Sequence, residues 1–160
     1  MKTYITRVAT GLLLAAALLG PTPAGAQLQE VHQTVYGMDC APCAYAQENR
    51  LKAMDGIEQA TVSLNEGMAT VQLMSDNEIT LEQIRNAVRK SGFSPEEAVL
   101  TLQGTLSQEH GRWVLTTPAQ ERYRLTETGE ITSASGDAVK VTGTVSSGEK
   151  PDSGWALQVT

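Results

Sequence analysis

Hydrophobic and polar positions in the first half of the chain change their spacing from strand-like to helix-like. Residues 31–36 alternate with a period of two and end at Gly37, which predicts a strand. Residues 43–54 carry apolar side chains at helical spacing, and Pro42 suits a first helical turn, where its missing N–H costs nothing. Asp55-Gly56 ends this predicted helix.

A hairpin and a second helix follow. Two β-prone runs, 57–64 and 68–74, flank residues 65–67, where a glycine suits a turn with positive φ. Thr80-Leu81-Glu82-Gln83 has the pattern of a capping box, which predicts a helix start, and a last strand is expected over residues 97–102. The resulting order is the split βαβ arrangement. We expect an α+β fold in which a ferredoxin-like βαββαβ sandwich has four antiparallel strands and both helices on one face.

The second half of the chain is rich in Thr, Ser and Gly and has a different pattern. Short strands are expected at 102–106, 113–117, 122–126, 138–145 and 155–159, with glycines between and within them. This spacing predicts a small all-β domain, a barrel or sandwich, over residues 101–160. Its LQGTL and VKVTGTV segments resemble the strand-with-glycine pattern of small bacterial OB-like barrels. We expect this domain to dock partners or to act as a scaffold.

The first 26 residues have the order of a secretory signal peptide. Lys2 and Arg7 precede an apolar run from Val8 to Leu19, and the small residues Ala24-Gly25-Ala26 follow. We predict a signal peptide over 1–26, a first domain over 27–100, and a periplasmic or secreted protein. The alternative is an uncleaved anchor, but a run of about twelve residues is shorter than the ~20 needed to span a bilayer. We expect no stable membrane insertion after cleavage.

Charge and motifs exclude several classes of function. The 160 residues carry a net charge of −6, and an acidic chain lacks the basic surface of a nucleic-acid-binding protein. Residues 101–160 contain seven acids against five Lys and Arg, so the OB-like pattern does not indicate oligonucleotide binding. The sequence has no phosphate-binding glycine loop, nucleophile elbow or metalloenzyme histidine cluster. We therefore expect a protein that is not an enzyme.

Cys40 and Cys43 are the only cysteines in the chain. A disulfide between them would close a loop too short to constrain the unfolded chain, so a structural role explains them poorly. Thiolates are soft ligands that favour Cu(I), Zn(II), Cd(II) and Hg(II), and a helix N-terminus stabilises the thiolate form. Two thiolates leave a metal site open for transfer, whereas structural zinc takes four protein ligands. His32 and His110 are not spaced to complete such a set.

The cysteine loop and its flanks resemble the heavy-metal-associated domain family. The matching pieces are GMDCAPCA at 37–44, Leu51, MDGI at 54–57 and SGF at 91–93. The family occurs in metallochaperones, in N-terminal segments of metal-transporting P-type ATPases and in the periplasmic mercury-binding protein. The resemblance implies a metal-binding protein that sequesters an ion or passes it to a membrane metal transporter or another metallochaperone. Gln47 and Arg50 depart from the family, which usually has an apolar and a small residue there.

Two neighbours of the first cysteine have roles implied by the resemblance. Met38 is expected to point inward and anchor the loop. Asp39 makes the motif similar to domains of zinc-, cadmium- and lead-exporting ATPases, in which this aspartate joins the two cysteines as a ligand. A carboxylate favours a divalent ion, whereas Cu(I) prefers two sulfurs. The expected cofactor is one thiophilic metal ion. Asp39 favours Zn, Cd or Hg(II) over Cu(I), which stays open. The alternative is that Asp39 is a solvated loop residue without a ligand role.

Two other functions remain open. Cys-Ala-Pro-Cys is typical of thioredoxin-like active sites, which suits a thiol-disulfide redox protein in an oxidising compartment. However, no proline lies between Ala44 and Pro95 to supply the cis-proline of that fold. The third hypothesis is a protein-interaction module with a degenerate metal site.

Overall fold

The computed structural model describes residues 27–126 and 133–160. Its elements in chain order are β1 (Leu28–Tyr36), α1 (Ala41–Lys52), β2 (Ile57–Ser63), β3 (Met68–Leu73), α2 (Leu81–Lys90), β4 (Ser94–Glu109), β5 (Arg112–Thr116), β6 (Arg122–Thr126), β7 (Ala138–Val145) and β8 (Trp155–Val159). Neither helix of these ranges has the length and apolar character that crossing a membrane requires. The predicted signal peptide at 1–26 lies outside the described residues.

The first four strands and the two helices form a sandwich, as the sequence pattern predicts. The strand order is β2-β3-β1-β4 and every neighbouring pair is antiparallel. Along β1, Val31 and Val35 are buried while His32 and Thr34 are half-buried, which is the alternation expected of a sheet with one covered face. The helices contact each other, α1 packs on β2, and α2 packs on β1 and β4. The βαββαβ arrangement is therefore confirmed.

Local hydrogen bonds fix where the two helices lie. The Thr80 hydroxyl accepts from the Gln83 N–H at 3.2 Å, and the Gln83 side chain accepts from the Thr80 N–H at 2.8 Å, so the predicted capping box starts α2. On α1, the Glu48 carboxylate accepts from the Val62 N–H of β2 at 3.1 Å and from the Lys52 ammonium at 2.6 Å. The Lys52 bond and then the Val62 bond lower the pKa of Glu48. This carboxylate ties α1 to the sheet.

Strand β4 is one continuous strand of 16 residues that contributes both to the sandwich and to a second group of strands. It pairs with β1 over residues 94–102, with β7 over residues 98–105 and with β5 over residues 105–109. The ring β4-β5-β6-β8-β7-β4 closes a five-stranded barrel, in which β6 and β8 are parallel and the other pairs antiparallel. The separate strands expected at 97–102 and 102–106 are thus one strand, and the predicted boundary between residues 100 and 101 falls inside it.

Glycines within the strands allow the barrel to close tightly. A Cβ atom on Gly143 of β7 would lie 2.5 Å from the backbone oxygen of Gln158 on β8. A Cβ on Gly104 of β4 would lie 2.7 Å from Cγ of Leu115 on β5. Such distances exclude any side chain, so glycine is required for this close approach. These residues continue the strands in which they occur, although glycine in a sequence pattern normally marks a break.

A buried carboxylate joins the barrel to α2. Glu121, which is 2% exposed, accepts hydrogen bonds from the Leu81 N–H at 2.8 Å, the Tyr123 hydroxyl at 2.7 Å and the Trp155 Nε1–H at 2.9 Å. The Leu81 N–H belongs to the first residue of α2, where backbone donors have no partner within the helix. Burial, and then Glu121, raise the pKa of the Tyr123 hydroxyl well above its usual value. The barrel therefore supplies part of the cap of a helix in the sandwich.

Arg85 of α2 makes the second connection. Its side chain is fully buried, and its guanidinium lies over the Trp155 ring at 4.7 Å from the ring centre. It donates to Gln33 on β1 at 3.2 Å and to the backbone oxygens of Glu96, Val145, Ser146 and Gly148. Burial, and then the charge of Arg89, lower the pKa of Arg85. Five hydrogen-bond acceptors and the face of the Trp155 ring replace the hydration that the guanidinium group loses on burial.

Two buried glutamines in the sandwich differ in their hydrogen bonds. Gln33 and Gln47 are both 0% exposed. The Gln33 amide nitrogen donates to the backbone oxygens of Thr34, Glu96 and Glu97, and its oxygen accepts from Arg85. Neither amide atom of Gln47 has a partner among the described residues. Gln47 stands where the family pattern expects an apolar residue, and an unpaired buried amide destabilises the fold.

We predict opposite effects from the same substitution at these positions. Gln47→Leu should raise the free energy of unfolding by about 1–2 kcal/mol, because it removes an unpaired amide at nearly constant volume. Gln33→Leu should lower it by about 2 kcal/mol or more, because four partners lose their bonds. Urea unfolding at a fixed redox state gives both values. A Gln47→Leu protein as unstable as Gln33→Leu would show that the Gln47 amide is satisfied in solution.

Candidate metal centre

Met38 anchors the loop between β1 and α1 in the hydrophobic core. Gly37 ends the strand with a φ of +87°, a left-handed conformation that favours glycine. The chain then turns Met38 into the core, where it is 8% exposed. This burial confirms the expectation that Met38 anchors the loop, and it leaves the thioether facing the core.

Both cysteines lie at the N-terminus of α1. Cys40 is the N-cap residue and its Sγ accepts from the Cys43 N–H at 3.2 Å. The sequence predicts a helix from Cys43, whereas the structure begins it at Ala41, so Cys43 lies within the first turn. The unpaired backbone N–H groups and the positive end of the helix dipole favour negative charge on both sulfurs.

Asp39, Cys40 and Cys43 form the one group of three or more potential metal ligands within residues 27–126 and 133–160. Their ligand atoms all lie within 4.8 Å of one another. Asp39 is exposed and the two cysteines are half-buried, so the group opens to solvent. The structure thus brings together the three residues that the sequence singles out. Their role as ligands stays a prediction.

Cys40 and Cys43 are joined by a disulfide in the structure. A disulfide sulfur carries no thiolate, and metal binding requires deprotonated thiols. Reduction must therefore precede metal binding at this site. The oxidised pair and the metal-bound pair are alternative states of the same two residues.

A cavity of about 430 Å³ adjoins Cys43 and has a cationic rim. Arg50 of α1 and Lys90 of α2 line it, together with Pro42, Ala46, Ser91 and Phe93. Arg50 is exposed, so its departure from the family pattern places a charge on the surface and not in the core. The sequence analysis missed this pair because its members lie 40 residues apart and meet only through the packing of the two helices.

The two histidines are not part of the group. His32 Nδ1 lies 3.3 Å from the Thr70 hydroxyl and its Nε2 lies 3.3 Å from the Glu30 carboxylate, both on the sheet. His110 is exposed in the turn between β4 and β5, with a φ of +49°. The structure leaves both apart from the cysteines, as their sequence spacing suggests.

Comparison with known proteins agrees with this geometry. A sequence profile of the heavy-metal-associated domain matches residues 34–94. The copper chaperone CopZ of Staphylococcus saprophyticus is 36% identical over 59 residues, which are 37% of this chain and 85% of CopZ. The chain belongs to the heavy-metal-associated domain family. The matched residues include the end of β1, the cysteine loop, both helices, and strands β2 and β3.

Other relatives match the same part of the chain. Human copper-transporting ATPase 2 is 39% identical over 59 residues, but these are only 4% of that much longer protein. The solved structure of the yeast copper transporter domain Ccc2a is 30% identical and covers 42% of this chain and 90% of its own, with a TM-score of 0.39. The matched residues of the heavy-metal-associated domain end at the start of β4, before the barrel.

Proposed function

We propose that this protein binds one thiophilic metal ion through the thiolates of Cys40 and Cys43 and passes it on by ligand exchange. The observation that carries the proposal is the joint placement of both sulfurs at one helix N-terminus, half-buried and open to solvent. Two thiolates leave coordination positions free, so an incoming thiolate attaches before the first ligands leave. The protein is a binding and transfer module and not an enzyme.

Cu(I) is the ion that the relatives support best, since CopZ and human copper-transporting ATPase 2 are named as copper proteins. Two thiolates suit the low coordination number of Cu(I). Asp39 adds a carboxylate within 4.8 Å of both sulfurs, and such a ligand favours a divalent ion such as Zn(II). Asp39 is therefore the feature of this chain that extends the site from Cu(I) towards Zn, Cd or Hg(II).

The location and partners of the protein belong to the same proposal. The leader pattern at 1–26 supports export to the periplasm or secretion. The partner is a membrane metal transporter or another metallochaperone whose surface near the metal is acidic, because Arg50 and Lys90 flank Cys43. The barrel is OB-like, as its ring of five strands with a parallel β6–β8 pair suggests. Such a barrel serves as a scaffold beside the metal site.

A second candidate function is thiol–disulfide exchange. The Cys40–Cys43 disulfide and the position of both sulfurs at a helix N-terminus favour it. In that reaction the disulfide takes two electrons from two substrate thiols, which leave joined as a disulfide, and the protein is left with two thiols. It requires no metal, which separates it from the first candidate.

We predict that the reduced protein takes up one equivalent of Cu(I) in competition with a chromophoric chelator. Cys40→Ser and Cys43→Ser should each lose this uptake, because one thiolate cannot hold a soft ion against a chelator. The oxidised wild type is the control and should bind none. Uptake by the reduced wild type no tighter than by the two variants would refute the metal proposal. Disulfide-reductase activity without metal uptake would favour the redox function instead.

Asp39→Ser tests the third ligand. We expect the Zn(II) affinity to fall about tenfold, because losing one carboxylate bond costs roughly 1.4 kcal/mol or more. The Cu(I) affinity should stay unchanged, since Cu(I) is held by the two sulfurs. Competition titrations with both ions on the reduced protein give the comparison. Equal Zn(II) affinities in the wild type and Asp39→Ser would remove Asp39 from the ligand set.

Charge reversal tests whether Arg50 and Lys90 guide an acidic partner. In the double variant Arg50→Glu, Lys90→Glu we expect the disulfonated chelator bathocuproine to withdraw Cu(I) roughly threefold or more slowly at low salt, because attraction of the anion is lost. The uncharged parent chelator should act at the wild-type rate. The matched control is Lys140→Glu, Lys150→Glu, which changes the same charge on the barrel. Equal slowing in both double variants would show that the net charge of the protein sets the rate of Cu(I) withdrawal, and it would contradict a specific role for Arg50 and Lys90.

A further inference from the structure

A second cavity lies on the barrel, and it shares no lining residue with the cavity at Cys43. Its volume is about 530 Å³, within the range of pockets that hold small molecules. Strands β5 and β6 supply Arg112, Val114, Arg122 and Arg124. Glu109 at the end of β4, His110 of the β4–β5 turn and Ser153 of the loop between β7 and β8 complete the lining.

Strand alternation places the three arginines on one face. Val114 pairs with Arg124 across β5 and β6, and Tyr123 and Leu125 occupy the barrel interior. Side chains two apart share a face, so Arg112 stands beside Val114, and Arg122 beside Arg124. These three are three of the five Lys and Arg in residues 101–160 of an acidic chain. Val114, which is 3% exposed, is the one apolar residue among the seven that line the cavity.

The charges of this cavity are incompletely paired. Arg122 forms an ion pair with Glu109 at 2.5 Å. Arg124 donates to the backbone oxygen of Gly154 at 3.3 Å, but its Nε is shielded from solvent and has no hydrogen-bond partner among the described residues. Arg112 has no ion pair within the described ranges. Two cations thus remain without a neutralising carboxylate, and one buried donor lacks an acceptor.

We propose that this cavity binds a small phosphate monoester whose organic part rests on Val114. Arg112 and Arg124 together carry the charge that a phosphate monoester, close to a dianion at neutral pH, requires. Guanidinium groups bind phosphate oxygens through two parallel hydrogen bonds, and Arg112, which is exposed and lines the cavity, presents such a group. Glu109 neutralises Arg122 and limits the site to a ligand of this charge.

The probe for this site is phenyl phosphate, titrated into the full chain and followed by calorimetry and by backbone amide shifts. We expect saturable binding with shifts confined to β5, β6 and the adjacent turns. Arg112→Gln and Arg124→Gln should each weaken it about tenfold, the effect of one lost charge-assisted contact. Inorganic phosphate should bind more weakly because it makes no contact with Val114, and phenol should not bind.

Two further variants make the test independent of folding. Glu109→Gln changes an exposed ion pair, and it should tighten phenyl phosphate binding several-fold because Arg122 becomes available. Lys140→Gln removes an exposed lysine of β7 that does not line this cavity, and it should leave the affinity unchanged. Binding that is equal in Arg112→Gln and the wild type, or that is unchanged or weaker in Glu109→Gln, would overturn the proposal. So would tighter binding of an octathymidylate than of phenyl phosphate, which would favour nucleic acid as the ligand.

Discussion

The carboxylate of Glu121 is the contact on which the arrangement of the two halves depends. It comes from the residue directly before β6 of the barrel, yet it accepts a hydrogen bond from the first backbone N–H of α2 in the sandwich. Tyr123 and Trp155 hold it in place, and Arg85 lies over the Trp155 ring. A buried carboxylate is stable only where it is fully bonded. Each half of the molecule therefore supplies hydrogen-bond partners to buried polar groups of the other half.

The elements of the sandwich follow from signals that are local in the sequence. The capping box at Thr80, the turn glycine at Gly67 and the alternation along β1 each act within a few residues, so the pattern predicts them well. The Glu121 and Arg85 contacts do not have such a signal. An arginine in a charged helix normally indicates an exposed face, and its burial here depends on backbone oxygens 60 or more residues away. Only the folded chain brings these groups together.

The candidate metal site shows the same division. The spacing of Cys40 and Cys43 and the adjacent Asp39 predict a ligand cluster, because a helix that begins after Cys40 brings the residue three positions later back to the same side. Arg50 and Lys90 come from different helices, so no local pattern reveals that they flank Cys43. Similarly, Gly104 was expected to lie between or within short strands, whereas its lack of a side chain serves barrel closure inside one long strand.

Strand β4 also determines how the two halves move relative to each other. Sixteen residues of extended chain span about 50 Å, with one end paired in the sandwich and the other in the barrel. A flexible linker would let two domains sample many orientations, but residues 98–102 of β4 are paired with β1 on one edge and with β7 on the other, which leaves no hinge there. The cysteine loop and the arginine face of the barrel are consequently held at a fixed separation and angle. A large partner that touched both would have a single orientation available to it.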